Sequence, residues 1–491
     1  MALLAGFARF VGGGLSMSSQ SSPQSIFVAR MAAAAVAVFV ACSWRVDPDL
    51  WGHLRFGLDA IRDRQLESVD PYSFTSDVPW INHEWLSEVS IGLAYLAGGM
   101  AGLWLLKASL VAISFLLMTR TLRFVEEPAR WWLQVAAMSA TAPIATTLRP
   151  QLWTLLALSI LLATMNWSVR RKILWWPAMF ALWANSHGGW IVGIGVLGAW
   201  TAGVTLDRRD WRSTLPLWGL TALCLLGTLL TPYDGDLWTF MWGTVGLGRD
   251  IEEWRAVWEG GLSFFALWTL VALTTLIVMR RTSWSWAAVL PVFMLGFSSV
   301  KVVRLIGLFG ICMAFLLGPG WRRTAAVRLK PELLILLWFA ALMPAAVVTI
   351  AQSRCLTIGG RWSPDLEAAS ALTSPSVQGR LMVPFNWGQF AIWHFSPRLK
   401  VSMDGRRETV YSHTRLEQQV ALDRGDPAIL TFIEEERPEY VWLPLPEGSA
   451  LAVQLRTRGY RQDVATVRST ILTRSDLPHL SGGTSVTGCF P

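Results

Sequence analysis

The apolar run IFVARMAAAAVAVFVACSW (residues 26–44) is followed at once by VDPDLWGHLRFG (46–57), and the junction between the two decides how the chain is read. A helix needs about 20 mostly apolar residues to cross hydrocarbon, and the run 26–44 has that length. No small-residue cleavage site follows it, so it reads as a retained span rather than a signal peptide. What comes next is chemically different. Asp47, Pro48 and Asp49 stand at the exit of the span, and His53 and Arg55 follow within the same stretch. Charges this close to membrane depth are costly and ask for a partner or a function. The bland reading of Asp47 is a helix-ending turn, and it stays open beside the functional one. Residues 1–25, rich in Gly, Ser and Gln, read as a disordered cytoplasmic tail.

Further apolar stretches lie near 100–119, 131–147, 151–167, 173–187, 188–206, 213–231, 262–279, 284–299, 302–319 and 332–351. Eleven spans result, or twelve if the short run 86–98, ending at Gly98-Gly99, also crosses. A composition of 53% hydrophobic and 15% charged residues, with 29 tryptophans suited to the bilayer interfaces, fits a polytopic membrane protein. With eleven spans, the loops 120–130, 168–172, 207–212, 280–281 and 321–330 share one side and carry three, three, three, two and four basic residues. The positive-inside rule then puts the N-terminus in the cytoplasm and the 45–98 loop outside. The net charge of +8 is accounted for by such loops and carries no argument for nucleic acid.

From about residue 353 the composition is that of a soluble domain. GRLMVPF, KVSMDG, EYVWLPL and STILTRS read as short strands, and 412–423, 426–437 and 448–458 as helices between them. The organisation expected is a membrane domain over 26–352 that includes the outer loop 45–98, a small α/β extracytoplasmic domain over 353–480, and a flexible end over 481–491. The five cysteines have no metal-ligand spacing. Cys42, Cys224 and Cys312 sit in apolar runs, while Cys355 and Cys489 lie in the polar part, where a disulfide is an option.

The outer side collects the chemistry. The segment DPYSFTSDVPWINHEWLSE (70–88) adds Asp70, Asn82, His83, Glu84 and Glu88 to the opening motif. The LRPQ turn puts Arg149 and Gln151 at an outer end, ANSHGGW puts Asn185 and His187 at the next, and VKVVR puts Lys301 and Arg304 at a later one. One such arginine alone would be read as snorkelling to the interface. Several of them on the side of a carboxylate-rich loop suit a lipid phosphate leaving group, with Asp47, Asp49 or Glu84 as the base for an acceptor. Asp47 and Asp49, with His53 near, are also a candidate Mg²⁺ or Mn²⁺ site. In the C-terminal part Asp404, closing a strand before Gly405 and Arg406, is a candidate substrate contact; the competing reading is a turn with Arg406 or Arg407 paired to Glu408.

With these residues in place, the chain resembles the GT-C superfamily of membrane glycosyltransferases, which share many spans and an acidic motif opening the first extracytoplasmic loop. It is similar, more closely, to a group of bacterial multi-span proteins marked by the motifs seen here as DPDLWGHLRFG, DPYSFT, HEWLSE, RPQ, HGG and DGRRETVY. One departure is TPYDGDLW (231–238), where related sequences commonly show Asn-Pro-Tyr-Gly. The resemblance implies an α-helical polytopic GT-C-like fold in the bacterial inner membrane and an inverting transferase of the cell envelope. Asp49 or Asp47 would be its base or metal ligand and Glu84 a second acid. His53, Arg55, His83, Arg149, Gln151, His187, Arg304, Asp404 and Arg406 would serve substrate binding. The implied partners are membrane lipids, a polyprenyl-phosphate-linked sugar donor and a glycan, lipid or protein acceptor. Two other readings stay open: a transporter or flippase of lipid-linked saccharides, and a non-catalytic accessory protein. Against a carrier stands the scarcity of mid-span charges, Lys107 being the exception.

Overall fold

In the computed structural model, residues 23–245, 252–321, 356 and 362–491 are described. Most of the tail 1–25, the basic segment 322–330, the apolar stretch 332–351 and Cys355 fall outside them. Two compact units are formed, one by the chain up to Trp44, Met100–Trp238 and Val245–Gln352, the other by Arg45–Gly99, Thr239–Thr244 and Ser353–Pro491.

The first unit is helical. Five helices of the protein are long and apolar enough to cross a membrane among the described residues: Pro23–Cys42, Trp85–Phe124, Trp190–Arg208, Leu262–Arg281 and Val303–Gly320. Gln151–Ala163 and Trp286–Lys301 are apolar but shorter. The stretch Ile306–Phe315 is buried on every side, as expected for a helix with no polar face, and forms the centre of this unit. The two conspicuous charges of the apolar runs are neutralised locally. Arg30 pairs with Glu127. Buried Lys107 donates to the carbonyls of Val40 and Ala41 at 3.0 Å each, and to that of Ser43, so it satisfies acceptors that the end of helix Pro23–Cys42 leaves open.

The run 86–98 does not end a helix. It begins one, Trp85–Thr121, which is broken at Gly98 and Gly99. Gly99 has φ 54° and ψ −135°, a backbone state that a side chain would strain.

The second unit is built on a five-stranded sheet in the order β2-β1-β3-β5-β4, with β1 Gly379–Met382, β2 Leu399–Val401, β3 Tyr440–Pro444, β4 Tyr460–Ala465 and β5 Ser469–Arg474. β1 runs parallel to β2 and β3, while β5 is antiparallel to β3 and β4. Four of the strands stand at the apolar segments where the sequence places them. The fifth, YRQDVA, is a polar edge with an irregular register at Gln462/Val464, so it lacks the apolar alternation that marks a strand. Helices His413–Arg424, Leu430–Glu436 and Ser449–Arg456 supply Leu422, Ile433, Leu451 and Leu455 to a core with Val441, Leu443 and Leu472 of the sheet. Cys489 is disulfide-bonded.

Residues of the 45–98 loop are part of this same unit. Tyr72 and Phe74 pair along β2, with Val401 N–H donating to Tyr72 O at 3.0 Å and Phe74 N–H to Val401 O at 3.1 Å. The opening motif itself is a helix, Asp49–Asp63, polar on one side and buried through Leu50, Trp51, Leu54 and Phe56 on the other. It lies against helix Gly388–Phe395, where Gly52 N–H donates to Gln389 Oε1 at 3.1 Å and Trp51 meets Phe390 edge-on at 5.0 Å.

Candidate functional site

Among the described residues, each unit brings sequence candidates together in a polar cluster. In the sheet-containing unit the cluster grows from the start of helix Asp49–Asp63. Asp47 Oδ1 accepts the Asp49 N–H at 3.0 Å, so Asp47 caps one of the orphan donors of the helix start. Asp49 occupies the first turn, where the helix dipole favours a carboxylate. One turn on, buried His53 places Nδ1 3.0 Å from Glu88 Oε1, and Asn82 Nδ2 donates to the other oxygen, Oε2, at 2.6 Å. Burial works against a charged imidazole here, but Glu88, with Glu84 and Asp49 further off, outweighs it and pushes the His53 pKa up to about 9. His53, Glu84 and Glu88 each offer a ligand atom within 4.8 Å of the others. His83 lies beside them, Nε2 3.7 Å from Glu84 Oε1 and its ring 5.5 Å from Phe240.

Three other sequence candidates of this unit are engaged elsewhere. Arg55 donates to Asp59 Oδ2 at 2.6 Å, an oxygen that also accepts from the Tyr72 hydroxyl at 2.7 Å. Asp404 and Arg406 form a buried ion network with Asp70. Arg406 donates from Nη1 and Nη2 to the two Asp70 oxygens at 2.7 and 2.9 Å, and from Nε and Nη2 to the two Asp404 oxygens at 2.9 and 2.7 Å. Its guanidinium lies 4.7 Å from the Trp80 ring and 4.9 Å from that of Phe56, and the Tyr411 hydroxyl completes Asp404 at 2.8 Å. Burial raises the Asp404 pKa, but Arg406 more than offsets this and holds it below the ordinary carboxylate range. The pairing is therefore Arg406 with Asp404 and Asp70, while Arg407 faces Glu408 at 3.5 Å.

The cluster of the helical unit is built from three turns. Gln151 opens helix Gln151–Ala163 directly after Arg149-Pro150, His187 stands between helices Val169–Ala184 and Trp190–Arg208, and Arg304 lies in the short turn Val303–Leu305. His187 Nδ1 is 2.8 Å from the Thr154 hydroxyl and accepts the Gly189 N–H at 3.0 Å, while Nε2 is 3.3 Å from Arg304 Nη2. Gly189 permits the approach, since a Cβ there would stand 2.2 Å from Thr154 Oγ1. The Gln151 amide, oriented by its hydrogen bonds, turns its oxygen to Arg304 Nε at 3.3 Å.

Glu253 joins this cluster and was not legible as a member beforehand. Arg149 Nη1 donates to Glu253 Oε1 at 3.0 Å, and Arg304 Nε lies 3.7 Å from Oε2. The loop that carries it is tied down beside Arg304, Val303 N–H donating to Arg255 O at 3.1 Å and Val257 N–H to Val300 O at 3.0 Å. Burial would raise the Glu253 pKa, but Arg304 and Arg149 outweigh it and lower it. The signal in the sequence is the acidic character of residues 232–261. Arg149, Arg304 and Glu253 remain 24%, 22% and 25% exposed.

No family model matches the chain, and no curated protein matches it in sequence. Solved structures do. ArnT from Cupriavidus metallidurans in the apo state superposes with a TM-score of 0.57 at 13% identity, covering 93% of this chain and 99% of that one. The oligosaccharyltransferase of Archaeoglobus fulgidus in the apo form gives 0.52 at 11% identity, over 87% of this chain and 70% of that one. Both are GT-C glycosyltransferases, and the fold of this chain is GT-C-like.

Proposed function

We propose that this protein is a membrane glycosyltransferase that moves a sugar from a polyprenyl-phosphate-linked donor to a glycan, lipid or protein acceptor outside the cytoplasm, with inversion at the sugar carbon. The observation that carries the reading is the convergence of the RPQ, HGG and VVR turns, three separate parts of the sequence, on one partly open anion-binding cluster. Two guanidiniums set for a two-oxygen anion suit a phosphate leaving group. Asp49, in the first turn of helix Asp49–Asp63, is the base that takes the acceptor's proton, and Asp47 beside it is the alternative. Glu84 is the second acid. The GT-C-like fold of this chain, shared with ArnT and an oligosaccharyltransferase, supports the same class of donor.

A divalent cation fits the first-loop cluster. Its donor set, His53 with Glu84 and Glu88, mixes imidazole and carboxylate and so suits Mn²⁺ or Zn²⁺ better than Mg²⁺, while Asp47 and Asp49 offer oxygen alone. Such an ion would supply Lewis-acid stabilisation to a phosphate. The eleven-span topology, with the N-terminus cytoplasmic and the C-terminal domain outside the inner membrane of a bacterium, belongs to the same proposal. The disulfide at Cys489 supports an oxidising compartment for that domain. The carrier reading loses its mid-span charge, because Lys107 is spent on the carbonyls of a helix end. The test is sugar transfer in membranes carrying equal amounts of wild type, Asp49→Asn, or Arg149→Gln with Arg304→Gln. Loss in both variants is expected, and full activity in both would overturn the proposal.

A further inference from the structure

The anion cluster carries its own carboxylate, and that has a consequence for which donor it accepts. Glu253 bridges Arg149 at 3.0 Å and Arg304 at 3.7 Å, one oxygen to each. It thereby shows that the two guanidiniums are spaced for a single anion that offers two oxygens. It also subtracts one unit from the charge that they offer. The two arginines with Glu253 sum to one positive charge. Any further carboxylate brought near would lower the sum again.

We infer that Glu253 is a specificity-determining residue of this site, selecting a donor whose sugar and polyprenol are joined by one phosphate over a donor joined by two. This deepens the function proposed above and rests on its assignment of Arg149 and Arg304 to the donor phosphate. A phosphodiester linkage has one ionisable oxygen and carries one negative charge, which the cluster matches. A diphosphate linkage carries two, and Glu253 weighs against the second as well as the first. A charge within ~4–6 Å shifts the free energy of a unit charge by the equivalent of ~1–3 pK units. Side chains about one quarter exposed belong at the low end of that range. Glu253 therefore weighs against each extra ligand charge by about tenfold in affinity. Gln151 sharpens the effect, because its amide turns its oxygen to Arg304 and also hydrogen-bonds Glu253, holding the carboxylate in the cluster.

The test uses the full-length protein in nanodiscs and two probes of equal tail and sugar, farnesyl phosphoglucose and farnesyl diphosphoglucose. Dissociation constants are measured for wild type, Glu253→Gln, Glu253→Asp and Arg149→Gln. Wild type is expected to prefer the monophosphate probe by about tenfold. Glu253→Gln should shift the ratio about tenfold toward the diphosphate probe, while Glu253→Asp, which keeps the charge, should leave it near wild type. A wild-type preference for the diphosphate probe overturns the inference without any variant, and so does a ratio that Glu253→Gln leaves unchanged. The underlying reading fails separately, by a different sign: Arg149→Gln binding both probes as tightly as wild type, or wild type binding neither.

Discussion

Asp47 accepts the backbone N–H of Asp49 at 3.0 Å, so the two carboxylates of the opening motif meet at the start of one helix. Asp47 holds the start of a helix, while Asp49 stands in its first turn. An asparagine amide oxygen can accept the same N–H, so Asp47→Asn should leave the fold and most of the transfer activity intact. Asp49→Asn removes a proton acceptor and should lower kcat by about a hundredfold or more at normal expression. Asp47→Ala, which loses that hydrogen bond, should cost about 1 kcal/mol of stability. Transfer rates and melting of the three purified variants decide the matter; equal loss in Asp47→Asn and Asp49→Asn would defeat the division of roles.

Arg406 is the hub of the sheet-containing unit. It meets both oxygens of Asp70 at 2.7 and 2.9 Å and those of Asp404, and its guanidinium lies among Phe56, Tyr72 and Trp80. Lysine supplies charge but neither the fork nor the flat face. Leaving a buried carboxylate without its partner costs about 3–5 kcal/mol, so Arg406→Lys should melt well below wild type and accumulate poorly. Asp70→Asn should do the same, and a melting point within about 1 °C of wild type for both would remove the network from the account of stability.

Asp423 gives a pH dependence of definite sign. It accepts from Phe385 N–H at 3.1 Å and from Gln419 Nε2 at 3.0 Å, yet burial prevails and raises its pKa to about 6. The unfolded value is about 3.9, so the folded state prefers the protonated acid. The charged form destabilises the domain above about pH 6, and the penalty fades as pH falls toward about 4. Asp423→Asn should therefore stabilise the protein by on the order of 2 kcal/mol near pH 7.5 and by little near pH 4. Melting curves at both pH values check this, and a gain of equal size at both would contradict it.

Much of this was legible in the sequence, for identifiable reasons. Five helices of membrane length among the described residues follow from run length, and four of five strands from short apolar segments bounded by turns. Arg149, Gln151, His187 and Arg304 could be grouped because each stands at the end of an apolar run on the same predicted side. Glu253 could not, since a carboxylate in a polar loop looks like any other until its backbone is seen bonded beside Arg304. The helix Asp49–Asp63 was hidden too. Its apolar residues are interrupted by charges, and what buries them is Gln389, Phe390 and Phe490, more than 330 residues away in sequence.

The glycine that closes the opening motif makes the last prediction. A Cβ on Gly57 would stand 2.0 Å from the Glu88 carbonyl oxygen and 2.5 Å from its carbon. Both are backbone atoms of the helix that begins at Trp85, so no side chain can turn aside to make room. Alanine at this position must push that helix away, and with it the Glu88 carboxylate that holds His53 at 3.0 Å. Gly98 has open space around it and a φ of −157°, which any residue adopts. Gly57→Ala should therefore destabilise the protein by about 1–3 kcal/mol, as overpacking does, while Gly98→Ala should be close to neutral. Melting temperatures of the two variants test the contrast, because general intolerance of helix glycines to substitution would lower both alike, whereas contact with Glu88 lowers only the first.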